Sequence, residues 1–363
     1  MAKNMSGLSR EFIIHPGETL KEILEDRGMS QKELALRTGV TESHVSSVVN
    51  CQKDISVSYA KKLEYALDID ASFWINLQGN YDKELADFED VNKISDEEFR
   101  ILKHLNGIIK HLKQIGLLEQ KLQGPMLVIQ LRKFLNVSSL IRIPELSQAG
   151  AYRLATETKV DPYVLFTWLR MCDLITDNQQ IEQKLDVSKL KEKIPPIKEL
   201  MFEDVVKIQP RLKSYLAECG IRFSIVKHFR GAPVQGVIKK NSDGTLSLLM
   251  TTRRKFADIF WFTFFHEIGH IIHGDIEDKL IDYEFIKNEA EDRANKFAEN
   301  ILIEAEGYSA FIEKGDFSLP SIKRFSVEQN IPTYVLIGRL QKDGHVRYYQ
   351  YRGEKVKYVM EEG

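Results

Sequence analysis

Residues 30–50 read SQKELALRTGVTESHVSSVVN. Ser30 and Glu33 have capping-box spacing: the hydroxyl accepts from the Glu33 amide while Glu33 reaches back. Gly39 supplies the left-handed turn residue that ends this helix. Thr41 can cap a second helix, which turns Val45, Val48 and Val49 inward. Ala35 is small where two helices must cross closely. Gln31, Ala35, Gly39, Val45 and Val48 together fit the helix-turn-helix pattern. Glu42, Ser43, His44, Ser46, Ser47 and Asn50 then face outward, and with Gln31 and Thr41 at the helix starts they form the candidate DNA-contacting set. The competing reading is a small helical bundle used for dimerisation. Residues 1–80 carry nine Lys and Arg against eleven Asp and Glu, a net of −2, which is poor for generic phosphate affinity. Binding therefore needs a localised face and a dimer.

The surrounding chain has 363 residues. At roughly 150 residues per domain, that length suggests two or three domains. Hydrophobic residues make up 43% and charged residues 29%, a globular profile rather than a disordered or fibrous one. The 51 Lys and Arg against 53 Asp and Glu exclude a wholly basic nucleic-acid coat protein. The 3 cysteines are far apart and form no C-x-x-C pair, which argues against a disulfide framework or a cysteine zinc knuckle. The chain reads as reduced and cytoplasmic. Its start, MAKNMSGLSREF, lacks the apolar core of a signal peptide. The most apolar stretch, Ile259 to Ile272, is too short to span a bilayer and contains His266, Glu267 and His270, so no membrane partner is expected.

Three segments separate by pattern: 1–81 with short capped helices, 82–205 as a helical connector, and 206–363 as mixed α and β. The acidic run Asp82, Glu84, Asp87, Glu89 and Asp90 reads as a solvated linker or helix face. Ile101, Leu102, Leu105, Ile108, Ile109 and Leu112 then recur at helical spacing. Pro195-Pro196 is expected to stop a helix near a boundary. Ile221–Val226 reads as a strand; Val234–Ile238 and Leu246–Met250 bracket a turn at Asn241-Ser242-Asp243-Gly244. Val346–Tyr351 and Val356–Met360 around Arg352-Gly353 suggest a second hairpin.

His266-Glu267-Ile268-Gly269-His270 is H-E-x-x-H. Histidines four apart sit one helical turn apart, so both rings can reach one metal ion, and Glu267 beside them can serve as general base. The flanks Phe260–Phe265 and Ile271-Ile272 are apolar, so burying these groups without partners is costly and a bound Zn2+ offsets that cost. The competing reading is two satisfied core histidines. The next strong helix places Glu291 on its inward stripe with Ala290, Ala294, Phe297 and Ala298, which makes it the candidate third ligand, with Glu289 as the competitor. Asn295, one turn on, can hold a liganding histidine from behind or be an ordinary surface residue. His273 reads as a rim or packing histidine, and Arg253-Arg254-Lys255 as a solvated turn. An extended substrate could pair with an edge of the Asn241–Gly244 hairpin. Tyr283 and His345 are chemically able to stabilise an oxyanion, though no spacing singles them out.

Residues 15–81 resemble a HigA-type antitoxin domain of the Xre helix-turn-helix class in HPGETLKEIL, MSQKELALRTGV and FWINLQGNYD. That resemblance implies an all-α, lambda-repressor-like domain that binds operator DNA as a homodimer and regulates its own transcription. Phe73, Trp74, Leu77 and Tyr81 read as core and dimer-helix packing. Residues 200–345 resemble the ImmA/IrrE metallopeptidases in HEIGH, in Glu291–Ala298 (E-x-x-A-N-x-F-A), in the hairpin before them and in IPTYVLIGRLQKDG. This implies an α+β zincin-like (gluzincin) domain with Zn2+ on His266, His270 and Glu291, and Glu267 as base. The expected function is a DNA-binding regulator fused to a zinc endopeptidase. Its protein substrate would be a repressor or toxin–antitoxin partner, in stress-response, mobile-element or toxin–antitoxin control. The alternative is a non-enzymatic HigA-like antitoxin or repressor whose C-terminal domain binds a toxin or signal.

Overall fold

The computed structural model describes residues 10–149, 160–251, 255–276, 279–283 and 289–358. It is mostly helical with one small sheet, and its contacts divide the chain into two compact units, 1–100 with 121–131 and 101–120 with 132–363.

The first unit holds α1 (Pro16–Asp26), α2 (Gln31–Thr38), α3 (Glu42–Val49), α4 (Val57–Leu67) and α5 (Ala71–Asn92). Each start is chemically marked. His15 Nδ1 accepts from Gly17 N at 2.9 Å, Ser30 Oγ from Glu33 N at 3.1 Å, and Thr41 Oγ1 from His44 N at 3.2 Å. Gly39 ends α2 with φ of 63°, as its sequence position predicts. The returning arm of the capping box takes another partner: Glu33 Oε1 accepts from Arg37 Nε and Nη2 at 3.1 and 2.7 Å. Two charge-assisted bonds one turn along outweigh a single backbone donor. Leu34, Val45, Val48, Leu63 and Trp74 fill the core between these helices.

α5 runs without interruption through residue 81. Its acidic residues Asp82, Glu84, Asp87, Glu89 and Asp90 are exposed, while Tyr81, Leu85 and Phe88 are half-buried at helical spacing. The run is a helix face. Gln78, which the sequence did not single out, is buried; its Oε1 accepts from Ile55 N at 2.9 Å and its Nε2 donates to Asp82 at 2.8 Å.

The chain continues through α6 (Asp96–His104), α7 (Asn106–Gln114), α8 (Gly124–Leu135), α9 (Ile143–Ala149), α10 (Pro162–Asp177), α11 (Val187–Glu199) and α12 (Val205–Ala217). The apolar stripe from Ile101 to Leu112 is split between α6 and α7 at Leu105, just before the weak helix formers Asn106 and Gly107. Pro195-Pro196 does not stop its helix: both lie inside α11. Proline tolerates helical φ, and the partners that the missing N–H groups forgo belong to Lys191 and Glu192, which are exposed to water. Buried Leu190 and Ile197 hold the helix on either side.

β1 (Ile221–Val226), β2 (Val234–Lys240), β3 (Leu246–Thr251), α13 (Ala257–His273), β4 (Lys279–Tyr283) and α14 (Glu289–Leu302) follow, then α15 (Ala305–Lys314), α16 (Leu319–Glu328) and α17 (Thr333–Lys342). The sheet order is β1-β3-β2-β4, with β1 parallel to β3 and the other pairs antiparallel. The first hairpin turns as expected: Gly244 N donates to Asn241 O at 3.1 Å, with φ of 84° at the glycine. β4 was not foreseen, and it corrects the substrate-edge expectation. β1 covers the outer side of β3 and β4 that of β2, so the hairpin has no free edge.

Phe223, Ile238 and Leu248 face a core with Leu212, Trp261, Phe264 and Leu336. Neighbouring strand positions instead meet α10 and the residues just after it. Gln179 Nε2 donates to Ser224 Oγ at 2.8 Å, and Lys239 Nζ to Asp173 at 2.9 Å. The second hairpin is also corrected. Among the described residues, 346–351 form turns, Tyr351 is left-handed at φ of 56°, and a 3-10 turn covers Arg352–Glu354. Residues 356–358 lie along the start of α13, where Ala257 N donates to Val356 O at 3.0 Å and Tyr358 N to Lys255 O at 2.7 Å. Val359 and Met360 lie outside the described residues.

A Gly39→Ala change should destabilise the α2–α3 corner by about 1–2 kcal/mol, because a Cβ is disfavoured in the left-handed region. Faster amide exchange across α2 and α3 in the intact chain is the expected readout.

Candidate functional site

The chain carries two candidate sites. In and around α3, Thr41, Glu42, Ser43 and Asn50 are exposed and His44, Ser46 and Ser47 half-buried, as is Gln31 at the start of α2. Several polar groups are already engaged. Ser47 Oγ donates to Ser43 O at 2.9 Å, and Asn50 Nδ2 to Ser46 Oγ at 3.2 Å. The His44 ring sits edge-on to Tyr59 with centroids 4.7 Å apart, and Lys53 Nζ donates to its Nδ1 at 3.1 Å. Burial first, then the charges of Lys53 and Lys62, push the His44 pKa below its ordinary value. The ring is therefore neutral near pH 7 and anchors Lys53. Exposed Lys53 and Lys62 place positive charge beside the helix, and the candidate set drawn from the sequence omitted both.

The second site lies between α13 and α14. His266 is 5% exposed, and Glu267 and His270 are fully buried. A Cβ on Gly269 would lie 3.1 Å from Ala294 Cα and 3.3 Å from Phe297 Cβ. Small residues on both helices thus permit a close crossing. The crossing carries Glu291 to both rings: its Oε2 is 3.2 Å from His266 Nε2 and its Oε1 is 3.4 Å from His270 Nε2. The two Nε2 atoms are 3.0 Å apart. Glu267 rests beside β2 at Gly236, where a Cβ would come within 1.9 Å of Glu267 Oε1. Only glycine leaves that carboxylate its place.

Each ring is held from behind. His266 Nδ1 lies 3.1 Å from Asn295 Oδ1, and His270 Nδ1 lies 3.3 Å from Asp275 Oδ2. Oxygen acceptors there fix the proton on Nδ1 and turn the Nε2 lone pairs toward each other and toward Glu291. Two lone pairs and a carboxylate, with ligand atoms all within 4.8 Å of one another, call for a cation between them. The mixed nitrogen and oxygen donors fit zinc.

Glu289 is exposed, whereas Glu291 reaches both rings. His273 is exposed and packs edge-on to Phe297 at 5.9 Å; His345, also exposed, leans on Phe317 at 5.3 Å. Arg253, Arg254 and the Tyr283 side chain lie outside the described residues; Lys255 is exposed. Asp275 and its partner Arg293, 2.5 Å away, were missed by sequence reasoning. The H-G-D that follows the H-E-x-x-H run was the available signal.

Residues 20–74 match the HTH_3 helix-turn-helix family. Virulence-associated protein I of Dichelobacter nodosus is 36% identical over 75 residues, which span 20% of this chain and 69% of that protein. The chain belongs to the HTH_3 helix-turn-helix family. Its helix-turn-helix region is also similar to solved structures. PA4674 of Pseudomonas aeruginosa, in complex with its operator DNA, is 38% identical, covers 20% of this chain and 80% of its own, and gives a TM-score of 0.20. The Pseudomonas aeruginosa antitoxin HigA, with the higBA promoter, is 33% identical, covers 23% and 96%, and gives a TM-score of 0.21.

Charge in the histidine cluster is polarised. Burial opposes a charged His270, but Glu291 and Asp275 outweigh it and raise the pKa. Burial likewise opposes a charged Glu291, but His266 and His270 outweigh it and pull the pKa from 4.5 to about 2. The linkage signs follow. The Glu291 contribution is present above its ordinary pKa and lost as pH falls toward about 2. The His270 contribution is present below 6.5 and lost as pH rises through its raised folded value. The cluster's contribution to the stability of the chelator-treated protein should thus be largest in mildly acidic solution and fall as pH rises. In Glu291→Gln the loss on the alkaline side should shrink. Melting curves of both proteins from pH 4 to 9 would check this, and identical profiles would contradict it.

Proposed function

We propose that this chain is a DNA-binding, antitoxin-like helix-turn-helix regulator whose second unit is a zinc-dependent endopeptidase of the ImmA/IrrE, zincin-like type. The observation that carries the peptidase reading is the convergence of His266, His270 and Glu291 beside buried Glu267. A purely structural metal needs ligands but no base, and Glu267 adds the base. When bound, zinc supplies Lewis acidity at the scissile carbonyl. Glu267 takes a proton from the attacking water and returns it to the departing amine. Asn295 and Asp275 keep both rings in the liganding tautomer. The aromatic wall of α13 limits bulk water around the site. Of the two edge strands, β4 lies next to the β2 strand that carries Gly236 and is the edge that suits an extended peptide. The substrate class that suits a regulator of this kind is a repressor or a toxin–antitoxin partner.

Membership of the helix-turn-helix family, together with exposed Ser43 and Asn50 beside Lys53, supports operator recognition by α3, as a homodimer. Ser43→Glu with Ser47→Glu should abolish the salt-sensitive shift of the protein's own promoter fragment. A wild type that shifts no upstream fragment would remove the DNA reading.

The peptidase reading is tested by two substitutions that differ in kind. Glu267→Gln should keep zinc while cleavage of a neighbouring regulator falls by about 10²-fold or more. Glu291→Gln should lower zinc content itself. Wild-type cleavage in Glu267→Gln would overturn the mechanism. A wild type that holds zinc yet cuts no regulator, even in cells under damage or starvation, would favour a non-enzymatic repressor.

A further inference from the structure

We infer that Asp275 and Arg293 form a positioning pair that sets the orientation and donor strength of His270, and through it the metal affinity of the cluster; this rests on the zinc reading above. The placement begins with backbone geometry. α13 ends at His273, and Gly274 takes φ of 73°, which turns the chain back on itself. Asp275 N then donates to His270 O at 3.1 Å. That return brings Asp275 Oδ2 to 3.3 Å from His270 Nδ1, with the carboxylate side chain only 7% exposed. Its other oxygen, Oδ1, accepts from Arg293 Nη2 at 2.5 Å.

Arg293 belongs to α14, two residues beyond Glu291. The run His270–Asp275–Arg293 therefore fastens the end of the helix that bears the histidines to the start of the helix that bears the third ligand. Arg293 also occupies the carboxylate oxygen that His270 does not use, so Asp275 cannot rotate away. The two rings are consequently unequal. His266 is backed by the neutral amide of Asn295, and His270 by a carboxylate. A charged acceptor on Nδ1–H pushes electron density toward Nε2 and makes it the stronger donor.

A plain staple is the competing explanation, and its energetics differ. The Arg293 side chain is 49% exposed, and ion pairs so open to water add little to folding. Loss of the pair should thus act mainly on the metal.

The test uses the full chain as wild type, Asp275→Asn, Asp275→Ala, Arg293→Ala and Arg293→Lys. Zinc affinity is measured against a competing chelator, the absorption bands of bound Co2+ report ligand geometry, and melting of the metal-free protein reports the fold. Asp275→Ala and Arg293→Ala should weaken zinc by about 10- to 100-fold and shift the Co2+ bands. Asp275→Asn and Arg293→Lys should fall between them and wild type, and metal-free melting of the Arg293 variants should scarcely move. Unchanged zinc affinity and Co2+ spectra in both alanine variants, with wild type binding zinc, would overturn the pair's role alone. A loss of affinity matched by an equal loss of metal-free stability would also overturn it and assign the pair to the fold. A wild type that binds no zinc would overturn the zinc reading and this inference with it.

Discussion

The second unit depends on how closely two helices can cross. Glu291 reaches both imidazoles because Gly269 and Ala294 leave no side-chain bulk at the crossing of α13 and α14. A larger residue at either position would separate the helices and withdraw the carboxylate. The same economy of space operates on the other side of α13, where Gly236 on β2 leaves room for the Glu267 carboxylate. The sheet and α14 thus hold the motif from opposite sides, and a five-residue pattern becomes a site only because both neighbours are cut back to backbone or alanine. The aromatic residues of α13 supply the burial that makes such tight tolerances stable.

The first unit uses the same device at lower stakes. A Cβ on Gly17 would lie 1.9 Å from Val48 O, so the start of α1 can rest against the end of α3. The capped ends of α2 and α3 fix the corner, and the core beneath α3 fixes which side chains turn outward. The recognition face is less open than a helical wheel suggests. Ser47 and Asn50 bond within their own helix, and His44 leans into Tyr59.

What could be read in the sequence was local. Caps, the Gly39 turn, the first hairpin and the i, i+4 histidines each depend on residues a few positions apart, and each stands in the structure where its spacing put it. Glu291 was legible because a carboxylate on an alanine-lined stripe has few alternatives. The features that escaped depend on distant partners. β4 lacks a self-contained pattern and owes its place to β2. Pro195 and Pro196 stay helical because Leu190 and Ile197 are buried against the rest of the unit, which no local rule reports. The second hairpin failed because 356–358 found a better partner at the start of α13 than in the preceding turn. Asp275 was hidden for a similar reason: its role appears once Gly274 has reversed the chain and Arg293 has arrived from another helix.

That late partner of α13 has a consequence for the order of events during synthesis. Lys355 Nζ donates to half-buried Asp258 at 2.5 Å, and Trp261 Nε1 donates to Tyr358 Oη at 2.8 Å. Until residues 355–358 have left the ribosome, the start of the histidine-bearing helix lacks the Lys355 partner of Asp258 and keeps an open aromatic flank. All residues of the first unit have been synthesised by residue 131, long before 355–358. A nascent chain therefore carries every residue of its helix-turn-helix corner before its histidine cluster is complete, and a ribosome stalled late in the message would hold the protein in that half-made state.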